Sequence, residues 1–175
     1  SEAYLLERMQ PADPAPRRAA LVHLMRGLAY AMQADFLSRY LDLQVEGEYR
    51  YHPADAGRRS LRNLCLRYLT AWGGATAIDL ALKQFEHAGN MTERYGALAA
   101  LAQSDAPARF EALEAFHQRY QGDALVLDKW FQLQAGAWRW SDAAPVTLER
   151  VRALLATPAF SLSNPNKVYA LLGGY

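Results

Sequence analysis

Apolar positions recur along this chain every three or four residues, and period-two alternation is almost absent, so the pattern predicts helices nearly throughout. After Asp13-Pro14, a cap followed by a first-turn proline, apolar side chains fall at Leu21, Met25, Leu28, Met32, Phe36, Tyr40 and Leu43. This stretch reads as one long helix, or as two broken near Gly27. Val45 to His52 reads as a connector, with Tyr49-Arg50-Tyr51 its one strand-like hint. From Pro53 the stripe Leu61, Leu64, Cys65, Tyr68, Leu69 and Trp72 runs to Gly73-Gly74, where the helix must stop.

Ile78, Ala81, Leu82 and Phe85 define the next helix, which ends at Gly89. Asn90 and Glu93 form an Asn-led capping box ahead of Met91, Tyr95, Leu98 and Leu101. Asp105-Ala106-Pro107 opens a helix with Phe110, Leu113, Phe116 and Tyr120 inward. Asp123 to Ala137 is apolar nearly all round, as befits a helix covered on several faces. A helix near Pro145 is expected to bury Leu148, Val151 and Leu155, and Asn164-Pro165 opens the last.

About eight or nine helices joined by short loops make antiparallel hairpins at roughly 32 to 38 residues, the spacing of helical-repeat arrays. The fold expected is all-α: a single domain over residues 1–175, an irregular right-handed stack of helix hairpins like armadillo and HEAT superhelices. The start at Ser1 and the finish at Gly173-Gly174-Tyr175, some two turns into a helix, read as cuts through a longer polypeptide.

Composition narrows the function more by exclusion than by indication. Half of the 175 residues are apolar or aromatic and a fifth are charged, which suits a chain that buries about 70% of its unfolded surface. A formal net charge of +1 gives no field for nucleic acid or an anionic membrane. No apolar run nears the roughly 20 residues a membrane span needs, and no signal peptide is visible at Ser1-Glu2-Ala3-Tyr4. Cys65, the single cysteine, fits a reducing compartment and sits in an apolar stripe as a buried hydrophobe.

The four histidines, His23, His52, His87 and His117, include no pair at i and i+4 and begin no H-E-x-x-H. No G-x-S-x-G elbow or phosphate-binding glycine loop is present. Arg58, Arg59, Arg62 and Arg67 spread around their helix instead of gathering into a nucleic-acid groove, and Arg58, within the apolar stripe, is expected as a paired, partly buried guanidinium joining two helices. Trp130, Trp138 and Trp140 read as core, not as a stacking platform. Lys129 follows Asp128 inside an apolar helix, where an unpaired charge is costly. It either snorkels or joins an internal ion pair, or it pairs across an interface with another domain.

Three blocks carry a resemblance: His87-Ala88-Gly89-Asn90-Met91-Thr92-Glu93-Arg94, Val126-Leu127-Asp128-Lys129-Trp130-Phe131, and Ser161-Leu162-Ser163-Asn164-Pro165-Asn166. With Arg58-Arg59-Ser60-Leu61-Arg62-Asn63, they resemble the helical C-terminal domain of the bacterial, cytosolic type of aminopeptidase N, a zinc exopeptidase. The resemblance implies a non-catalytic lid and scaffold that encloses the active-site chamber, with a catalytic domain of the same polypeptide and entering peptides as partners. It implies a cytoplasmic protein, with neither nucleic acid nor membrane as partner. Zinc and the catalytic residues would lie outside this chain, which has no cofactor of its own and is expected to be inactive alone. Lys129, Ser163, Asn164 and Asn166 are the candidate channel or interdomain contacts, although Asn164 is also explained as an N-cap. The family's G-x-M-E-N amine-binding loop is only superficially echoed by Gly89-Asn90-Met91-Thr92-Glu93, where Thr92 replaces the glutamate and capping accounts for Asn90 and Glu93. The alternative is a free-standing helical-repeat adaptor that binds a peptide or protein in its concave face.

Overall fold

A computed structural model describes residue 4, residues 7–141 and residues 148–174. Among these the chain forms nine helices and no β-strand: α1 (Pro14–Ala31), α2 (Gln33–Asp42), α3 (Pro53–Trp72), α4 (Ala75–His87), α5 (Met91–Ala102), α6 (Ala108–Tyr120), α7 (Ala124–Ala135), α8 (Leu148–Leu155) and α9 (Pro165–Leu172). Local chemistry sets most boundaries. Asp13, Asn90, Asp123 and Asn164 each accept a backbone N–H from the first turn of the helix they cap. Gly73 and Gly74 hold φ of 94° and 95°, a left-handed region that ends α3 and starts α4.

The first break falls at Met32, not at Gly27. Gly27 remains helical, while Met32 adopts φ −119° and ψ 22° and the hydrogen bonds Met32 N–H to Leu28 O and Phe36 N–H to Met32 O carry the chain through a bend. The bend lets Phe36 stack on Tyr68 of α3, with ring centroids 4.5 Å apart and planes within 3°.

The helices form two layers. The odd-numbered ones pack in succession, α1 on α3, α3 on α5, α5 on α7 and α7 on α9, and α2, α4, α6 and α8 each pack against the odd helix that follows. Residues remote in sequence therefore share one core, with Leu66, Leu98, Leu101, Phe116, Phe131 and Leu171 fully buried. A second cluster forms where the segment after α7 folds back: Trp138 and Trp140 pack with Val22 and Met25 of α1 and Ala71 of α3. Arg26 fastens it by donating to the Trp140 carbonyl at 3.0 Å.

The buried arcs depart from the simple stripes. On α3 the buried residues include Arg59, Arg62, Cys65, Leu66, Leu69 and Thr70, whereas Leu61 is 45% exposed. The arc turns because α3 is contacted by α1, α2, α4 and α5, and no single stripe can face all four. Phe110 is 56% exposed, since the inward arc of α6 is Ala112, Leu113 and Phe116; the Arg109 guanidinium lies over its ring instead. Leu125 is 68% exposed, so α7 is not covered on every side. Leu148 is also exposed, and α8 buries Val151 and Leu154. The expected start of α8 near Pro145 lies outside the described residues. Tyr49 and Tyr51 are exposed and form no strand.

Candidate functional site

Four helices meet at a buried polar knot. The Arg62 Nη1 donates to Glu93 Oε1 at 2.7 Å, and its Nε donates to the Tyr40 carbonyl at 3.2 Å. Asn90 closes the other side of the carboxylate, with Nδ2 2.6 Å from Glu93 Oε2 while its Oδ1 accepts the Glu93 N–H at 3.0 Å. The Gln84 Nε2 donates to the Glu93 carbonyl and to Asn63 Oδ1, and Asn63 Nδ2 donates to the Thr92 carbonyl. Capping thus accounts for Asn90, as the sequence indicated. Glu93 does more: instead of reaching back only to its cap, it is buried as the counter-ion of Arg62. Burial raises the pKa of the Tyr40 phenol, the Arg62 cation opposes that rise and the Glu93 charge adds to it.

The arginines therefore divide differently from the expectation. Arg58 is exposed, and its guanidinium donates to the Asp42 and Gln44 carbonyls at 2.9 and 3.1 Å, tying off the end of α2. The buried guanidiniums of α3 belong to Arg59 and Arg62, because the buried arc has turned towards them. Arg94 is also buried and donates to the carbonyls of Phe85 and Ala88 and to the Tyr120 hydroxyl, neutralising the C-terminal end of α4.

At the α7–α9 junction, Lys167 reaches Asp128 at 3.4 Å, with both side chains largely buried, and its ammonium lies 5.5 Å from the Phe131 ring centroid. The internal ion pair expected at this point thus uses Asp128, not Lys129. Lys129 is exposed, and its backbone carbonyl accepts the Tyr95 hydroxyl at 3.2 Å. Burial raises the Tyr95 pKa. Asn164 is occupied as the cap of α9, with Oδ1 accepting the Asn166 N–H at 3.0 Å. Ser163 and Asn166 are exposed, and the Ser163 hydroxyl lies 2.8 Å from that of Ser161. The Asp128–Lys167 contact brings the segments that carry Lys129 and Asn166 to one junction. Sequence reasoning missed Lys167, yet a signal was there: it shares a helical face with Ala170 and Leu171, at i+3 and i+4.

His23, His52 and His87 are exposed on separate elements, and His117 stacks on Trp130 with centroids 4.6 Å apart. Among the described residues no three His, Cys, Asp or Glu side chains gather where a metal ion could be held, so they do not fit a zinc centre. Cys65 is buried, and burial raises its thiol pKa. Burial lowers the Arg150 pKa, with Glu114 opposing. Trp130, Trp138 and Trp140 are all core, Trp130 donating its indole N–H to the Leu113 carbonyl at 2.9 Å. No described helix is long and apolar enough to cross a membrane. What these residues do chemically is hold buried charge and tie helices together.

Two layers of hairpins joined by such knots define an all-α helical-repeat domain. Residues 1–175 match the family described as "Domain of unknown function (DUF3458_C) ARM repeats", and the chain belongs to that family. It is 38% identical over 176 residues to aminopeptidase N of Caulobacter vibrioides, covering 100% of this chain and 20% of that protein. It is 38% identical over 174 residues to aminopeptidase N of Escherichia coli, covering 99% and 19%. Among solved structures it is similar to Legionella pneumophila aminopeptidase A in complex with aspartic acid, with a TM-score of 0.81 and 30% identity over 99% of this chain and 21% of that one. The chain spans about a fifth of the length of these relatives.

Proposed function

We propose that this chain is the non-catalytic lid and scaffold domain of a zinc-dependent aminopeptidase N, a cytoplasmic enzyme that removes N-terminal residues from peptides. The carrying observation is that the whole chain matches about a fifth of such enzymes. In this reading the zinc and its ligands belong to a catalytic domain of the same polypeptide, which extends beyond residues 1–175. The helical stack closes around the reaction chamber and limits what enters it. The exposed Lys129, Ser163 and Asn166, beside the capping Asn164, face that chamber or the neighbouring domain.

The test compares residues 1–175 with the whole encoded polypeptide on amino-acid arylamides, with zinc measured by elemental analysis. The expected result is turnover and about one zinc per molecule for the whole polypeptide, and neither for the isolated chain. Metal-dependent turnover by the isolated chain overturns the reading. An H-E-x-x-H motif in the coding frame before Ser1 separates it from the free-standing adaptor.

A further inference from the structure

Beside the Arg62–Glu93 pair a cavity of ≈ 540 Å³ opens between α2, the connector that follows it, α3 and the end of α4. Leu41, Leu80 and Tyr49 give it apolar walls. Three basic side chains, Arg59, Arg62 and Lys83, line it against one carboxylate, Glu93, which is already spent on Arg62.

Arg59 is the unexplained member. It is only 4% exposed, its Nε is buried without a partner, and among the described residues its guanidinium meets only the Tyr49 ring, 4.9 Å from the centroid. A buried guanidinium without acceptors is costly; Arg62 offsets that cost through Glu93 and the Tyr40 carbonyl, and Arg94 through the carbonyls of Phe85 and Ala88 and the Tyr120 hydroxyl. Gln84, which also lines the cavity, carries a second, independent unpaired atom. Its Nε2 donates to Asn63 and to the Glu93 carbonyl, whereas its Oε1 is buried with no donor. The side chains that line the cavity thus include a guanidinium with no acceptor among the described residues, an amide oxygen with no donor, and apolar walls, at a volume usual for small-molecule sites.

The complementary ligand carries a carboxylate for the fork, an N–H for Gln84 and an apolar side chain for Leu41, Leu80 and Tyr49. We propose that this cavity binds an α-carboxylate with an adjacent N–H and an apolar side chain, as found in a free amino acid or at the C-terminus of a short peptide, with Arg59 anchoring the carboxylate. A phosphate fits less well, because it would leave the apolar walls and the Gln84 acceptor unused. The proposal does not rest on the aminopeptidase reading.

The test is calorimetric titration of the protein as encoded with leucine, N-acetyl-Ala-Leu, N-acetyl-Ala-leucinamide and inorganic phosphate. Acetylation removes the free amine that an aminopeptidase site needs, and leucine binding counts for this cavity only where Arg59→Gln or Tyr49→Ala weakens it, so the outcome does not depend on the proposed activity. The expected result is saturable binding of leucine, of N-acetyl-Ala-Leu or of both, with the leucinamide weaker by more than about tenfold. Binding of leucine alone assigns the site to free amino acids, and binding of the acetyl dipeptide assigns it to peptide C-termini. Arg59→Gln should weaken the bound carboxylate by more than about tenfold. Tyr49→Ala, on the exposed connector, should weaken it several-fold and keeps the test decisive if Arg59→Gln fails to fold. Absence of binding at millimolar ligand, equal binding of the amide, tighter binding of phosphate, or unchanged affinity in the folded variants overturns the proposal.

Discussion

Gly96 lies inside α5, and helix propensity alone predicts that Gly96→Ala stabilises the protein by about 1 kcal/mol. The structure predicts the opposite sign. A Cβ at this position would stand 2.6 Å from Asn63 Oδ1 and closer still to Cγ and Nδ2, well inside contact distance. Asn63 cannot swing aside freely, because its amide donates to the Thr92 carbonyl at 2.9 Å and accepts from Gln84 Nε2 at 2.8 Å. Displacing it sacrifices two hydrogen bonds of about 1 kcal/mol each and adds about 1–3 kcal/mol of overpacking. After the propensity gain, the net expectation is a loss of about 2–4 kcal/mol. Urea unfolding followed by circular dichroism reads it as a lower midpoint at unchanged slope. The decisive comparison is Gly96→Ala in an Asn63→Ala background, where the methyl meets empty space and the substitution should become neutral or stabilising. A coupling of more than about 2 kcal/mol is expected. Equal or higher stability of Gly96→Ala in the wild-type background refutes the close approach of α3 and α5.

Arg62→Leu, which strands the Glu93 carboxylate, should cost about 3–5 kcal/mol, whereas the paired Arg62→Met, Glu93→Leu variant should unfold within about 1–2 kcal/mol of the parent. Lys167→Met should cost about 2 kcal/mol, a value reduced because the pair keeps some exposure, and should speed amide hydrogen exchange in α9 before the rest of the stack. Cys65 has a folded-state pKa raised above the ordinary 9.0, and Tyr40 and Tyr95 are raised above 10.0. The unfolded chain therefore releases these protons first, so stability holds below pH 9 and declines as pH rises through 9 and then 10. Chemical unfolding across that range should show the decline, and Cys65→Ala should delay its onset. In the whole encoded polypeptide, Lys129→Glu should change the KM for peptides or the affinity between domains while leaving the unfolding of residues 1–175 within about 0.5 kcal/mol. Identical kinetics and domain affinity would remove Lys129 from the interdomain contacts.

Much of this protein is decided within a few residues of any point along it. Asp13, Asn90, Asp123 and Asn164 cap helices because a short polar side chain there meets free N–H groups two or three residues on. Gly73 and Gly74 end α3 because the turn needs positive φ, and the three-to-four spacing of apolar residues makes the chain all-α with Trp130, Trp138 and Trp140 inside. The bend at Met32 instead of Gly27, the burial of Arg59 and Arg62 in place of Leu61, and the exposure of Phe110 belong to another scale. So do the pairs Arg62–Glu93 and Asp128–Lys167, whose members stand 31 and 39 residues apart. Caps and periods depend on backbone geometry that every helix shares, so the sequence carries them openly. Which arc of a helix is buried, and which charge meets its partner there, depends on how many neighbours press on it and from where, and only the packed stack decides that.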